Sequence, residues 1–332
     1  MSRRRGSASV STEGVEPRRL AIEAVRRIDE DAAYANLLVP SLLEASDLDQ
    51  RDRNLVTELV YGSTRMRRAI DWLADRFLVS PPPPALRAAL RVGAYQLAFM
   101  RVPPHAAVSA TVSASAKRNR APVNAILRRI AESLPPDWPS DGVRLSYPDW
   151  IIEVLREDLG PTDAMQMLEV MNTAPSVTER ADGYVQDPAS SWVVDVVGAG
   201  AGERVLDLCA APGGKATALE AAGAEVVACD LHPARSGLVA SNAARVGAGR
   251  LWTVTADGTA PPFASHTFDR VLVDAPCSGL GVLRRRPDAR WRISAPDVER
   301  LARLQGRLLD EAAALVKPGG TLVYSVCTVT RA

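Results

Sequence analysis

The sequence predicts an α/β protein in two parts, an all-helical bundle followed by a doubly wound parallel sheet. Three observations carry this. Apolar residues recur at helical spacing from Pro17 to Leu134 with no strand-like run among them. Two proline-rich breaks, "SPPPP" and "LPPDWPSDGVRLSYPDW", interrupt the pattern. From about residue 186, five short β-branched runs alternate with alanine-rich stretches.

Residues 1–16 read as a polar, disordered tail. Leu20, Ala24 and Ile28, then Leu37, Leu38 and Leu42, mark the first helices; Leu55, Leu59, Met66, Ile70, Leu73 and Phe77 mark the next. After the first proline break, which a helix interior would not accept, "ALRAALRVGAYQLAFM", "AAVSATVSASAKR" and "PVNAILRRIAESL" complete a bundle over 17–134. Residues 135–185 form a linker with short helices at 149–159 and 161–172. Residues 186–332 then hold the strands "RVLDLC", "EVVACDL", "LWTVTA", "FDRVLVDA" and "GTLVYSVCT". Parallel sheets of this kind collect ligands at the carboxyl ends of their strands.

Composition narrows the function classes. The 332 residues are 47% hydrophobic and 24% charged, with a formal charge of +1, so no global polycation announces a nucleic acid and any such partner must use local patches. No run approaches a membrane span and the N-terminus lacks a secretory core, so a cytoplasmic monomer with no membrane contact is expected. Without a Cys-x-x-Cys pair, and with His105, His232 and His266 far apart, no metal site is expected.

The strand ends carry the chemistry. Strand one runs into "DLCAAPGGK", residues 207–215. A phosphate-binding loop would need Gly at 209 and Ser or Thr at 216, where Cys209 and Ala216 stand, and no G-x-G-x-x-G pattern occurs. What remains is a glycine loop flanked by Asp207, with Asp230 ending strand two and Asp257 following strand three. Carboxylates repel polyphosphate but accept bonds from ribose hydroxyls and amino groups. The set therefore suits a nucleoside without polyphosphate, a description that S-adenosylmethionine meets. Cys209 and Cys229 read as small buried apolar groups.

Cys277 follows strand four and Cys327 ends strand five, so neighbouring strands would bring both thiols to one edge beside a methyl donor. There a thiolate attacking C6 of cytosine makes C5 nucleophilic. An acid must manage charge at N3 and a base must remove the C5 proton. Asp274 and one of the cysteines are candidates, and the residues alone leave open which cysteine attacks.

Four stretches, "VQDPASSW", "DLCAAPGGK", "VDAPCSGLG" and "YSVCT", together resemble the Sun/Nop2-type RNA cytosine-5 methyltransferases. The helical part, with "LVYGSTRMRRAID" and "VNAILRR", is similar to the NusB-like RNA-binding domain of the bacterial RsmB branch. The resemblance spans roughly residues 17–332. It implies a NusB-like bundle followed by a Rossmann-like S-adenosylmethionine-dependent methyltransferase domain, acting on a cytosine of RNA, in the first instance 16S ribosomal RNA. It assigns Cys327 as nucleophile and Cys277 to product release. It gives the donor Cys209, Ala210, Ala211, Pro212, Gly213, Gly214 and Lys215, with Asp230, Asp257 and Asp274, and brings Asp274 and Pro276 to the target base. Two departures accompany it. The segment "MNTAPSVTERADGYVQD" is shorter than the family's, which includes an Arg-Val-Asn motif. The sequence given ends at "CTVTRA", where the family continues through a helix and two strands, so those strands are expected to be missing and strand five to be an edge.

Beyond Cys277, Arg284, Arg285, Arg286, Arg290 and Arg292 flank Trp291, a pattern that suits phosphate contact and base stacking on an extruded nucleotide. Two other readings stay open: a non-catalytic RNA-binding protein, and a methyltransferase of tRNA or another substrate.

Overall fold

A computed structural model describes residues 14–331. The chain divides into two compact units. The first takes the chain up to Thr173 together with Leu283–Arg292; the second takes Ala174–Val282 and the chain from Ile293. These boundaries differ from the expected ones, since both linker helices and a ten-residue piece from beyond Cys277 cluster with the bundle. The expected tail falls mostly on residues 1–13, outside the described residues; Val15 and Glu16 already belong to a helix.

The first unit is helical throughout: α1 (Val15–Glu30), α2 (Ala35–Glu44), α3 (Gln50–Arg65), α4 (Arg67–Asp75), α5 (Pro84–Phe99), α6 (Pro104–Ala114), α7 (Arg120–Glu132), α8 (Asp141–Arg144), α9 (Asp149–Leu159) and α10 (Pro161–Met171). The proline breaks become starts. Pro84 of the first break occupies the first position of α5, where a missing N–H costs nothing, and Pro148 of the second is the N-cap of α9. Asp49 caps α3 by accepting from the Asp52 amide. Helix α5 lies at the centre, with Leu86, Leu90, Ala94 and Leu97 buried against the other helices. Gln96 in its last turn is fully buried and is satisfied by Arg18 and Thr111.

The second unit contains α11 (Pro188–Val197), β1 (Arg204–Asp207), α12 (Gly214–Ala221), β2 (Glu225–Asp230), α13 (Pro233–Val246), β3 (Leu251–Thr255), β4 (Phe268–Asp274), α14 (Ala295–Leu315) and β5 (Val316–Ser325). All five strands are parallel, in the order β3-β2-β1-β4-β5. Strand alternation sorts the core into two faces. Val205, Val226, Ala228, Leu272 and Val323 pack with Val197, Leu219 and Val239 of α11, α12 and α13. Leu206, Cys229, Val271 and Val273 pack with Leu308, Ala312 and Leu315 of α14. Strand order reverses at β1, so the loops after β1 and β4 diverge there and leave a crevice at the carboxyl edge. β5 pairs with β4 alone among the described residues, with Asp274 opposite Ser325. Within the described residues, no helix is long and apolar enough to cross a membrane.

Candidate active site

The β1–α12 loop carries the glycines. Gly213 has a φ of +103°, and a Cβ there would lie 3.2 Å from a Val239 methyl, so this turn requires glycine on both counts. The loop is pinned from two sides: the Ala211 amide donates to Asp230 Oδ2 (3.2 Å), and Asn242 Nδ2 donates to the Pro212 carbonyl (2.9 Å). Asp207 and Asp230 are buried. Burial, with the Asp274 charge adding to it, raises the Asp207 carboxyl to about 7 despite nearby Lys215. Lys215 Nζ donates to Asp274 Oδ2 at 2.5 Å. Asp257 is used locally, since its Oδ1 accepts from both the amide and the hydroxyl of Thr259.

Arg180, passed over in the sequence, supports this loop. It donates to the Gly214 carbonyl (2.6 Å), to Thr217 Oγ1 (3.2 Å) and to Gln186 Oε1 (2.9 Å), holding the start of α12. No local motif distinguishes an arginine that reaches across 34 positions to a carbonyl.

The cysteines separate into two kinds. Burial, with the charge of Asp207 adding to it, pushes the Cys209 thiol up to about 12, and burial pushes Cys229 up to about 11, so both stay protonated. Cys277 and Cys327 instead meet at the β4 and β5 ends, their sulfurs 3.2 Å apart. The loops that bear them are cross-linked: the Cys327 amide donates to Cys277 Sγ (3.3 Å), the Gly281 amide donates to the Cys327 carbonyl (2.9 Å), and the Ser278 and Thr328 hydroxyls are 2.6 Å apart. The Cys327 thiol is the main cause that lowers Cys277 to about 7 from 9.0, outweighing burial, and the Gly279 and Cys327 amides add to it. The sign follows. An acid lowered by folding favours its charged form, so below about pH 7 the pair keeps both protons and above it one thiolate forms. Alkylation of the pair by iodoacetamide is therefore expected to rise through a midpoint near pH 7 rather than 9, followed by mass spectrometry. A midpoint near 9 would mean that the sulfurs do not share a proton.

The arginine cluster after Cys277 is placed differently from its reading as a phosphate-binding run. Arg290 is fully buried in the helical unit. Its Nη1 donates to the carbonyls of Arg65 and Ser146 and to Asn172 Oδ1, and its guanidinium lies 3.8 Å from the Tyr147 ring centroid. Trp291 Nε1 donates to the Thr64 carbonyl (2.8 Å), and Arg67 covers its ring. Arg292 donates to the Ala32 and Ala33 carbonyls. Arg290 is thus a packing residue, and Trp291 already has its N–H and one face occupied. Carbonyls and an aromatic ring replace only part of the water of Arg290: its Nε and Nη2 have no hydrogen-bond partner among the described residues, and burial lowers the guanidinium to about 10. Arg284 and Arg285 are half-buried, Arg284 Nε donating to the Thr173 carbonyl, and Arg286 is exposed. Pro276 lies in the β4 loop, its carbonyl accepting from Gln305.

The family of the chain follows from comparison with known proteins. The 16S rRNA methyltransferase RsmB/F family model matches residues 196–332, and the NusB family model matches residues 15–132. The ribosomal RNA small subunit methyltransferase B of Thermus thermophilus is 37% identical, covering 95% of this chain and 84% of its own. The chain belongs to the RsmB family. The Salmonella arizonae member is 32% identical over 94% of this chain and 86% of its own. Among solved structures, one named PH0851 superposes with a TM-score of 0.80 at 23% identity, covering 98% of this chain and 88% of that one, a likeness of fold.

RsmB-family methyltransferases use S-adenosylmethionine, and the carboxyl edge fits it. The donor's sulfonium and ammonium groups are cationic and its ribose offers hydroxyl donors. Here three carboxylates, Asp207, Asp230 and Asp274, face two cations, Lys215 and Arg235, and Asp207 Oδ1 is buried with no hydrogen-bond partner among the described residues. A surplus of carboxylate with one unsatisfied oxygen suits a cationic, hydroxyl-bearing ligand. No group of three His, Cys, Asp or Glu that could hold a metal ion occurs among the described residues.

Proposed function

We propose that this RsmB-family chain methylates C5 of a cytosine in 16S ribosomal RNA through a covalent adduct between Cys327 and C6. The observation that carries the reading is the 3.2 Å contact of Cys277 and Cys327 at the strand ends, next to the Lys215–Asp274 pair. The choice of Cys327 as nucleophile follows the family resemblance of "YSVCT".

The residues divide the work as follows. Cys277, in its thiolate form, takes the proton of Cys327 across the sulfur contact. The Cys327 thiolate adds to C6, and the electrons of the C5–C6 double bond move toward C5 and N3. A proton from the Lys215–Asp274 pair neutralises N3 and returns there on elimination. S-adenosylmethionine, when bound, supplies the electrophilic methyl carbon. Cys277 passes the proton of Cys327 on to solvent before the elimination step. It then removes the C5 proton. The C–H electrons restore the double bond and expel Cys327 as thiolate, leaving one proton on the pair, as at the start.

The test is incubation with labelled donor and 16S RNA, followed by nucleoside analysis. 5-Methylcytidine is expected, and 5-fluorocytosine RNA should trap a covalent complex because fluorine cannot leave as a proton. Label on another nucleoside, or methylation of tRNA alone, would overturn the assignment. For the donor side, Asp230→Ala is expected to weaken S-adenosylmethionine binding by roughly 10- to 100-fold, the scale of one lost charge-assisted hydrogen bond. Calorimetry giving an unchanged dissociation constant would remove Asp230 from the site.

A further inference from the structure

We propose that Gln305 is a positioning residue that sets the approach of the two sulfurs, because its side chain joins the loop of Cys277 to the strand of Cys327. Its Nε2 donates to the Pro276 carbonyl at 2.8 Å, and its Oε1 accepts from the Tyr324 hydroxyl at 2.8 Å. The Pro276 carbonyl belongs to the peptide that joins Pro276 to Cys277, so fixing it fixes the plane from which Cys277 departs. Tyr324 precedes Cys327 by three positions on β5.

The position of Gln305 makes a packing role alone a poor account. Gln305, Leu308, Ala312 and Leu315 form the buried stripe of α14, spaced three, four and three apart. The last three are apolar and pack under the sheet. Only the member nearest the carboxyl edge is an amide, and it is 9% exposed. A buried amide costs free energy unless both of its ends are bonded. Here both are, one to each cysteine-bearing segment. The Tyr324 hydroxyl is itself raised by burial and then by the Cys277 charge, so it stands within electrostatic reach of that sulfur. The other cross-links, Ser278 to Thr328 and Gly281 to Cys327, join the two loops directly. Gln305 joins both to a third element, the helix that packs under the sheet, and thereby references the sulfurs to the rigid core.

The catalytic arm of the test rests on the function proposed above; the thiol titration does not. In Gln305→Leu and Gln305→Glu, the iodoacetamide midpoint of the pair is expected to rise by about one pH unit from its value near 7, as the shared proton loses its geometry. The kcat is expected to fall by roughly 10- to 100-fold, the scale of a displacement near 1 Å, with KM for RNA and the donor dissociation constant unchanged. Tyr324→Phe, at a half-exposed site, removes one arm and should shift both readouts in the same direction by less. It decides the matter if Gln305→Leu fails to fold. Unchanged midpoint and kcat in a folded Gln305→Leu, or losses that follow Tm alone, would overturn the proposal. A wild-type chain that methylates no RNA would instead sink the functional reading, while the midpoints would still answer for Gln305.

Discussion

Cys327→Ala is expected to lower methyl transfer by at least about 10^4-fold, the scale on which covalent enzymes lose rate when their nucleophile is removed. The loss should be confined to chemistry. Cys327 is exposed, so trading its thiol for a methyl group is expected to move stability by only about 0.5 kcal/mol. The donor edge is formed by Asp207, Asp230 and the glycine loop, and the donor dissociation constant should hold. A second signature is internal to the pair. The Cys327 thiol is the largest cause of the lowered Cys277 ionisation, so its removal should carry the Cys277 alkylation midpoint up from about 7. Single-turnover transfer and alkylation, measured on the same preparation, check both parts. Near wild-type transfer by this variant would refute the assigned nucleophile.

Cys277→Ala is expected to stop turnover at a later point. Cys327, which is exposed, can still add to C6 once solvent takes its proton, but the sulfur beside it that would remove the C5 proton is gone, and the protein should accumulate bonded to methylated RNA. Turnover should fall by roughly 10^2- to 10^4-fold, the range of a lost general base. On a denaturing gel a shifted, nuclease-sensitive band should appear with Cys277→Ala and vanish when Cys327→Ala is added. A shifted band from Cys327→Ala, and none from Cys277→Ala, would exchange the two roles. Wild-type turnover by Cys277→Ala would leave the sulfur contact without a catalytic meaning.

The two parts of the molecule were legible for different reasons. The helical unit announced itself through apolar spacing, and the proline breaks became helix starts because proline fits a first turn best, although α2 carries Pro40 within it. The five strands matched their β-branched runs, since a strand buried on both faces reads as a continuous apolar segment. β5 starts at Val316, four residues before its apolar run, where Lys317 pairs with Asp269 on the neighbouring strand. Such cross-strand support leaves no local mark.

What the sequence determined by itself was the inventory at the strand ends: a glycine loop, four acids and two cysteines, each within a few residues of a strand terminus, and so delivered to one edge once the strands are parallel. Tertiary structure alone decided which of these groups meet. The 3.2 Å sulfur contact depends on β4 and β5 being neighbours with Asp274 opposite Ser325, a long-range pairing between residues some 50 positions apart. The same holds for Gln305, whose spacing marks it as one more core position, and for Arg290, whose charge suggested solvent. Side-chain chemistry is written in each residue, whereas burial and partners are properties of the packed chain. An arginine enclosed by carbonyls and a tyrosine ring is indistinguishable, in one dimension, from an arginine facing a phosphate.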